Sequence, residues 1–159
     1  MNKSTIKIAE DKDLSAITTY QAGVMQASTH RQLQKHCDAI LKPYGLSKMQ
    51  WLIIGSILDS GEVGVRVTDL AETLGTTLSY LTNAINLLES RSILMRLSNE
   101  SDNRSKMVSI DPDFVPKCEE IETVLRAALR KSIYAHVDPQ DFRTYMKVLN
   151  LLSKVHNPK

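Results

Sequence analysis

The 159-residue sequence has no run of roughly eighteen apolar residues, the length a helix needs to cross a bilayer. No membrane span is therefore expected. Its opening stretch, Met1 to Asp13, is polar and holds no apolar signal core, so secretion is not expected and the chain is read as cytoplasmic. Cysteine is sparse. Cys37 and Cys118 lie far apart, outside any metal or redox spacing, and in a cytosolic chain they are expected to stay reduced. The four histidines (30, 36, 136 and 156) form neither an HExxH motif nor a helical pair, so no metal site is expected. No nucleophile elbow, phosphate loop or paired-carboxylate motif occurs, which leaves catalysis and a bound cofactor without support. Charge imbalance is missing too. A net charge of +2 does not by itself suggest nucleic acid, so that case must rest on pattern.

What is there is ordinary in amount. Apolar residues make up 42 % and charged residues 24 %, values usual for a soluble globular domain. The length fits about one domain. The order of the parts carries the information. From Val67 to Ile110 a short helix, a tight turn, a longer helix and a polar-tipped hairpin follow with little slack. This is the order of a winged helix-turn-helix, a module that grips DNA.

Residues 1–12 read as a flexible arm. Asp13 is placed to cap a helix whose apolar stripe runs through Leu14, Ile17, Val24 and Ala27, then Leu33, Cys37, Ile40, Leu41 and Tyr44. The polar stretch Ser28 to Gln32 interrupts the stripe, which leaves one long helix or two with a break there. Pro43 and Gly45 mark its end. Ser47 and Gln50 have the spacing of a capping box. The helix they open is apolar nearly all round and is expected to be buried on most sides. Val65 to Val67 offer a short strand to the later hairpin. Thr68 is expected to cap the first helix of the helix-turn-helix, with Gly75 ending it in a left-handed residue and Thr76 or Thr77 capping the second. That second helix has Leu78, Leu81, Ala84, Ile85 and Leu88 as its apolar positions. Ile93–Leu97 and Lys106–Ile110 read as the two wing strands. Val115 to Ile133 mark a long amphipathic helix, and Asp138 with Pro139 opens the last one. That helix has two apolar faces, more than one small domain can cover, so a second chain is expected on it.

Several local motifs fit this plan: Tyr44-Gly45-Leu46-Ser47 with Gln50-Trp51, Leu70-Ala71-Glu72 with Leu74-Gly75, Leu88-Glu89 before Ile93, and Asp102-Asn103-Arg104 with Val108-Ser109-Ile110. Together, across about residues 13–155, the chain resembles the MarR family of transcription regulators. The resemblance implies a mainly α fold with a small antiparallel β wing. It implies a homodimer held by helices in residues 13–44 and 113–159, with residues 45–112 as the DNA-binding region. It implies a double-stranded, pseudo-palindromic DNA partner, repression as the usual outcome, a wing arginine (Arg104) in the minor groove, and release by a small aromatic or anionic effector. Two features depart from the family pattern. No basic residue stands on the outer face of the recognition helix before Arg91, and Ser92 occupies the place of a terminal glycine.

The residues themselves give the candidate contacts. Thr77, Ser79, Tyr80, Asn83 and Asn86 share the outer face of the second helix. Merely solvated helix faces favour Glu, Lys and Arg, the better helix formers. Neutral hydroxyls and amides suit base edges instead, since Asn can bridge adenine N6 and N7. Arg96, Arg104 and Lys106 on the hairpin are the candidate phosphate and minor-groove contacts. Arg104 also stands next but one to Asp102, an exposed pairing worth little to stability. Arg31, Tyr44 and Trp51 are the candidate effector contacts, with core packing as the other reading of the two aromatics. Both cysteines fall on apolar stripes and read as small buried hydrophobes. From residue 66 to residue 110 the charges balance, five basic against five acidic. That neutrality keeps a second function class open: a winged-helix module that binds protein and not DNA.

Overall fold

The computed structural model describes residues 16–97 and 107–155. Among these residues six α-helices and three short strands run in the order α1 (Thr19–Leu41), α2 (Lys48–Leu58), β1 (Val65–Arg66), α3 (Val67–Thr73), α4 (Leu78–Ser90), β2 (Leu94–Leu97), β3 (Met107–Ile110), α5 (Val115–Ser132) and α6 (Pro139–Leu152). The fold is mainly α with a small antiparallel sheet. None of the described helices is long and apolar enough to cross a membrane. The chain divides into two units, residues 1–35 and 36–159, and each is described by itself.

In the first unit α1 runs unbroken through Ser28–Gln32. This stretch has neither Gly nor Pro, so it interrupts the apolar stripe without breaking the backbone. Asp13 lies outside the described residues. The observed cap is a box at Thr18 and Gln21: the Gln21 amide N–H donates to Thr18 Oγ1 at 3.2 Å, and Gln21 Oε1 accepts from the Thr18 N–H at 3.0 Å.

In the second unit α1 closes on Lys42–Tyr44 and on Gly45 at φ 64°. The capping box of α2 is present, with 3.2 Å from the Gln50 N–H to Ser47 Oγ and 2.9 Å from the Ser47 N–H to Gln50 Oε1. Ile53, Ile54 and Ile57 are fully buried. Leu52 is exposed, however, so α2 is not enclosed on all sides. The expected cap of α3 is displaced. The helix starts at Val67, Arg66 holds the cap position without a side-chain bond, and Thr68 donates to Asp69 Oδ1 at 3.0 Å instead. The physical cause is β1, which pairs with β3 up to Arg66 and runs directly into the helix.

The sheet order is β1-β3-β2. Val65 pairs with Val108 and Arg66 with Met107, while Leu94, Met95, Arg96 and Leu97 face Ile110, Ser109, Val108 and Met107. Val108, on the central strand, is fully buried. It joins Leu41, Leu70, Leu81, Ile85, Leu88, Cys118 and Ile121 in one core. Gly64 enters β1 at φ 74°, and a Cβ there would sit 2.7 Å from the Val108 carbonyl oxygen. α5 buries Cys118, Ile121 and Leu125. α6, capped as expected by Asp138, buries no residue at all, and Leu151 and Leu152 are each 58 % exposed.

Candidate nucleic-acid interface

α4 is fixed at both ends by backbone geometry. At its start the α3–α4 turn passes through Gly75 at φ 59°. The Thr76 N–H reaches Ala71 O at 3.0 Å and the Gly75 N–H reaches Glu72 O at 3.1 Å. These are the paired bonds of a Schellman ending. Thr77 then caps α4, its Oγ1 accepting the Tyr80 N–H at 3.2 Å. At the far end the Ile93 N–H reaches Leu88 O at 3.0 Å and the Ser92 N–H reaches Glu89 O at 2.9 Å. This is the same motif, with Ser92 in the left-handed region at φ 54° where the first ending has glycine. Leu81, Ala84, Ile85 and Leu88 anchor the inner face.

The outer face carries Ser79, Tyr80, Asn83 and Asn86, all exposed. Among the described residues, the side chains of Ser79, Tyr80 and Asn83 have no hydrogen-bond partner. Thr82 differs. Its hydroxyl donates to Leu78 O at 2.8 Å, so it is spent on the helix itself. Asn86 is half committed: its Oδ1 accepts from Arg96 Nη2 at 2.5 Å, and Arg96 Nε donates to Glu89 Oε2 at 3.0 Å. Arg96 thus ties β2 to α4 and leaves the Asn86 NH2 group as the free end. Leu78 and Leu87 lie on the exposed side, at 50 % and 51 %. Leu78 was expected among the inward positions. Periodicity gives the direction of a helix stripe but not its width, and the stripe here narrows at the first turn.

Arg91 stands at the C-cap of α4. Its two terminal nitrogens donate to the carbonyls of Gly45 and Tyr44 at 2.8 and 3.1 Å, so it clasps the end of α4 to the α1–α2 turn. No local signal announces this, because the partners are 46 and 47 residues away. Arg104 and Lys106, with the wing tip, lie outside the described residues.

The candidate effector contacts fall on both units. Arg31 is exposed on the first unit. Tyr44 and Trp51 pack against the core of the second. Tyr44 also donates to Glu120 Oε1 at 3.4 Å, and Lys117 Nζ lies 5.2 Å from its ring centre. Both cysteines are buried. Burial pushes the Cys118 thiol up to about 11, with Glu119 adding to it. Burial also raises Cys37, against the opposing effect of Lys48. Thiols held protonated are poor nucleophiles.

Residues 46–106 match the model of the MarR family. No curated protein sequence matches the chain. Among solved structures it is similar to AbsC, a MarR family transcriptional regulator from Streptomyces coelicolor, with 21 % identity, 87 % of this chain and 95 % of that one covered, and a TM-score of 0.73. It is similar to a second MarR family transcriptional regulator from Streptomyces coelicolor, solved in complex with DNA, with 17 % identity, 95 % of each chain and a TM-score of 0.76. It is also similar to CouR from Rhodococcus jostii, bound to p-coumaroyl-CoA, with 17 % identity, 87 % of this chain, 95 % of that one and a TM-score of 0.75. At such identities the likeness to the solved structures is one of fold.

Proposed function

From the match of residues 46–106 to the MarR family model we propose that this chain is a member of that family and that it binds double-stranded DNA in sequence-specific fashion, as a homodimer, to repress transcription. The observation that carries this is the outer face of α4. Ser79, Tyr80 and Asn83 present neutral hydrogen-bonding groups with no partner among the described residues, on a helix locked by Schellman endings on either side. Such groups can match donors and acceptors on base edges in the major groove, and the exposed Leu78 and Leu87 suit thymine methyls. Asn86 contributes its NH2 group, held in place by Arg96. Thr77 keeps its hydroxyl proton free while its oxygen caps the helix.

The apolar surface of α6 supports the homodimer, because no residue of that helix is buried within the chain. A two-fold dimer calls for a pseudo-palindromic operator with half-sites about one helical turn, roughly 34 Å, apart. Arg104 and Lys106 are assigned to the DNA backbone and minor groove. Release by a small aromatic or anionic effector is assigned to Arg31, Tyr44 and Trp51, and a DNA-competent dimer would be lost only if the effector prefers the other state.

The test is selection of bound DNA from a random pool, scored for a two-fold motif. Asn83→Ala should then cost about 1–3 kcal/mol at one base position of the selected site. An unchanged preference in this variant would remove the reading role of α4. The second reading, a protein-binding winged helix, is favoured by one observation: Arg91 and Arg96, two of the five cations between residues 66 and 110, are bonded within the protein. A salt-insensitive protein complex without any DNA selection would decide for it.

A further inference from the structure

A cavity of about 440 Å³ lies at the foot of the wing. Its walls are Leu58 at the end of α2, Met95 and Leu97 on β2, Ile110 on β3, and Pro112 and Val115 at the entry to α5. Strand geometry explains what else faces it. Val108 points into the core and is fully buried, so its neighbour Ser109 turns to the other face of the sheet. There it stands beside its register partner Met95.

Ser109 lines the cavity and is 6 % exposed. It is the one polar residue counted as buried among the described residues. Within that set its hydroxyl has no hydrogen-bond partner. Burying an unpaired hydroxyl costs stability, and alanine or valine at the same point of the sheet would avoid the cost. A hydroxyl kept at the wall of an apolar cavity, with no partner among the described residues, is arranged for a group that arrives from outside.

We propose that this cavity binds a compact, mainly apolar molecule of one or two rings, carrying one hydroxyl or N–H group that meets Ser109 Oγ. The volume lies toward the lower end of the range for small-molecule sites. The charge pattern narrows the class further. Glu62 stands at the cavity, exposed to solvent, and among the described lining residues no cation opposes it. A carboxylate ligand would meet like charge and find no counter-charge among the described lining residues, so the site favours neutral molecules. This separates it from an anionic effector site and does not depend on whether the protein binds DNA.

The test uses the full chain with 13C-labelled methionine methyls, the Met95 signal being assigned through Met95→Leu. Indole should move the Met95 signal saturably, and benzoate should bind at least tenfold more weakly. Ser109→Ala should weaken indole several-fold yet melt no lower than the wild type. Ser109→Leu, which puts a branched apolar group where the hydroxyl stands beside Met95, should abolish the shift, with the milder Ser109→Val giving the same answer if the larger side chain disturbs the fold. A Met95 signal unmoved by indole would overturn the site. So would a shift that survives in these obstructed variants, or benzoate binding as well as indole.

Discussion

Replacing Gly64 with alanine should damage the wing far more than the same change at Gly61, three residues earlier. The two glycines share a left-handed φ, 74° and 65°. They differ in what a side chain would meet. At Gly61 an added Cβ has nothing within 4 Å. At Gly64 it would stand 2.7 Å from the Val108 carbonyl oxygen and 2.9 Å from Leu97 Cδ1. Leu97 can rotate away, but Val108 O is backbone of the central strand, and β1 pairs with β3 at that residue. Relief therefore means moving β1 out of the sheet.

The magnitudes follow from these differences. Left-handed alanine costs roughly 1–2 kcal/mol, offset by about 0.4–1 kcal/mol of lost freedom in the unfolded chain, so Gly61→Ala should cost about 0–1.6 kcal/mol. Gly64 has ψ −178°, a combination that is essentially reserved for glycine and costs roughly 1–3 kcal/mol for other residues. The collision adds about 1–3 kcal/mol more, as overpacking does elsewhere. Gly64→Ala should thus lie about 2–5 kcal/mol below wild type, a large part of a total stability of roughly 5–15 kcal/mol. Urea unfolding at one fixed chain concentration measures both variants, since the midpoint of any self-associating chain moves with concentration. A Gly64→Ala protein found only in the insoluble fraction, beside a soluble Gly61→Ala, would agree. Equal losses in the two variants would refute the argument, because they share the φ penalty and only Gly64 has the collision.

Three further outcomes can be measured in the same way. Ser92→Gly should raise stability by about 0.5–1 kcal/mol, because it removes a left-handed penalty from the Schellman ending of α4; a lower urea midpoint would count against it. Arg91→Ala should cost about 1–2 kcal/mol through loss of two charge-assisted bonds to Gly45 and Tyr44, and Arg91→Lys should recover less than half, since one ammonium does not reproduce the fork. The Cys118 thiol, raised from 9.0 to about 11, keeps its proton in the folded state where the unfolded chain has lost it. Its contribution is therefore complete below about pH 9 and disappears as pH rises through 11, a loss of about 2 kcal/mol at that pH. Cys118→Val should flatten the fall in urea midpoint between pH 8 and 11 relative to wild type, and an equally steep fall would show that the thiol is not its source.

The parts of the fold that are legible in the sequence are those written within one turn of the chain. Ser47 and Gln50 name a capping box because both bonds close over three residues, and Gly75 names a left-handed ending because few other residues adopt one readily. The misreadings come from forces of longer reach. Thr68 has the chemistry of a cap, but the pairing of β1 with β3 carries the chain past it and starts α3 at Val67. Leu52 and Leu78 satisfy their helical periods yet stay exposed, because burial depends on what lies opposite and periodicity does not report that. The face of α4 was legible residue by residue. The state of each group was not: Asn86 is half occupied by Arg96, which stands ten residues further along the chain.

That occupation bears on how a formally neutral segment can read DNA. Counting charges from 66 to 110 gives five cations, but Arg91 holds the α1–α2 turn and Arg96 holds α4 to β2. These bonds hold α4 rigidly in place, and on the proposed function they leave fewer cations for phosphates. Rigidity of this kind has its own value in recognition. Side chains already held in place lose less entropy on binding, and a mismatched base then leaves a fixed polar group unpaired. Weak phosphate attraction lowers affinity for every sequence alike, whereas a fixed amide or hydroxyl on α4 distinguishes one base from another. On the proposed function, a helix stiffened by its own arginines would trade general affinity for discrimination. Under that proposal the contribution of Arg96 would belong with the bases that Asn86 meets and not with the backbone.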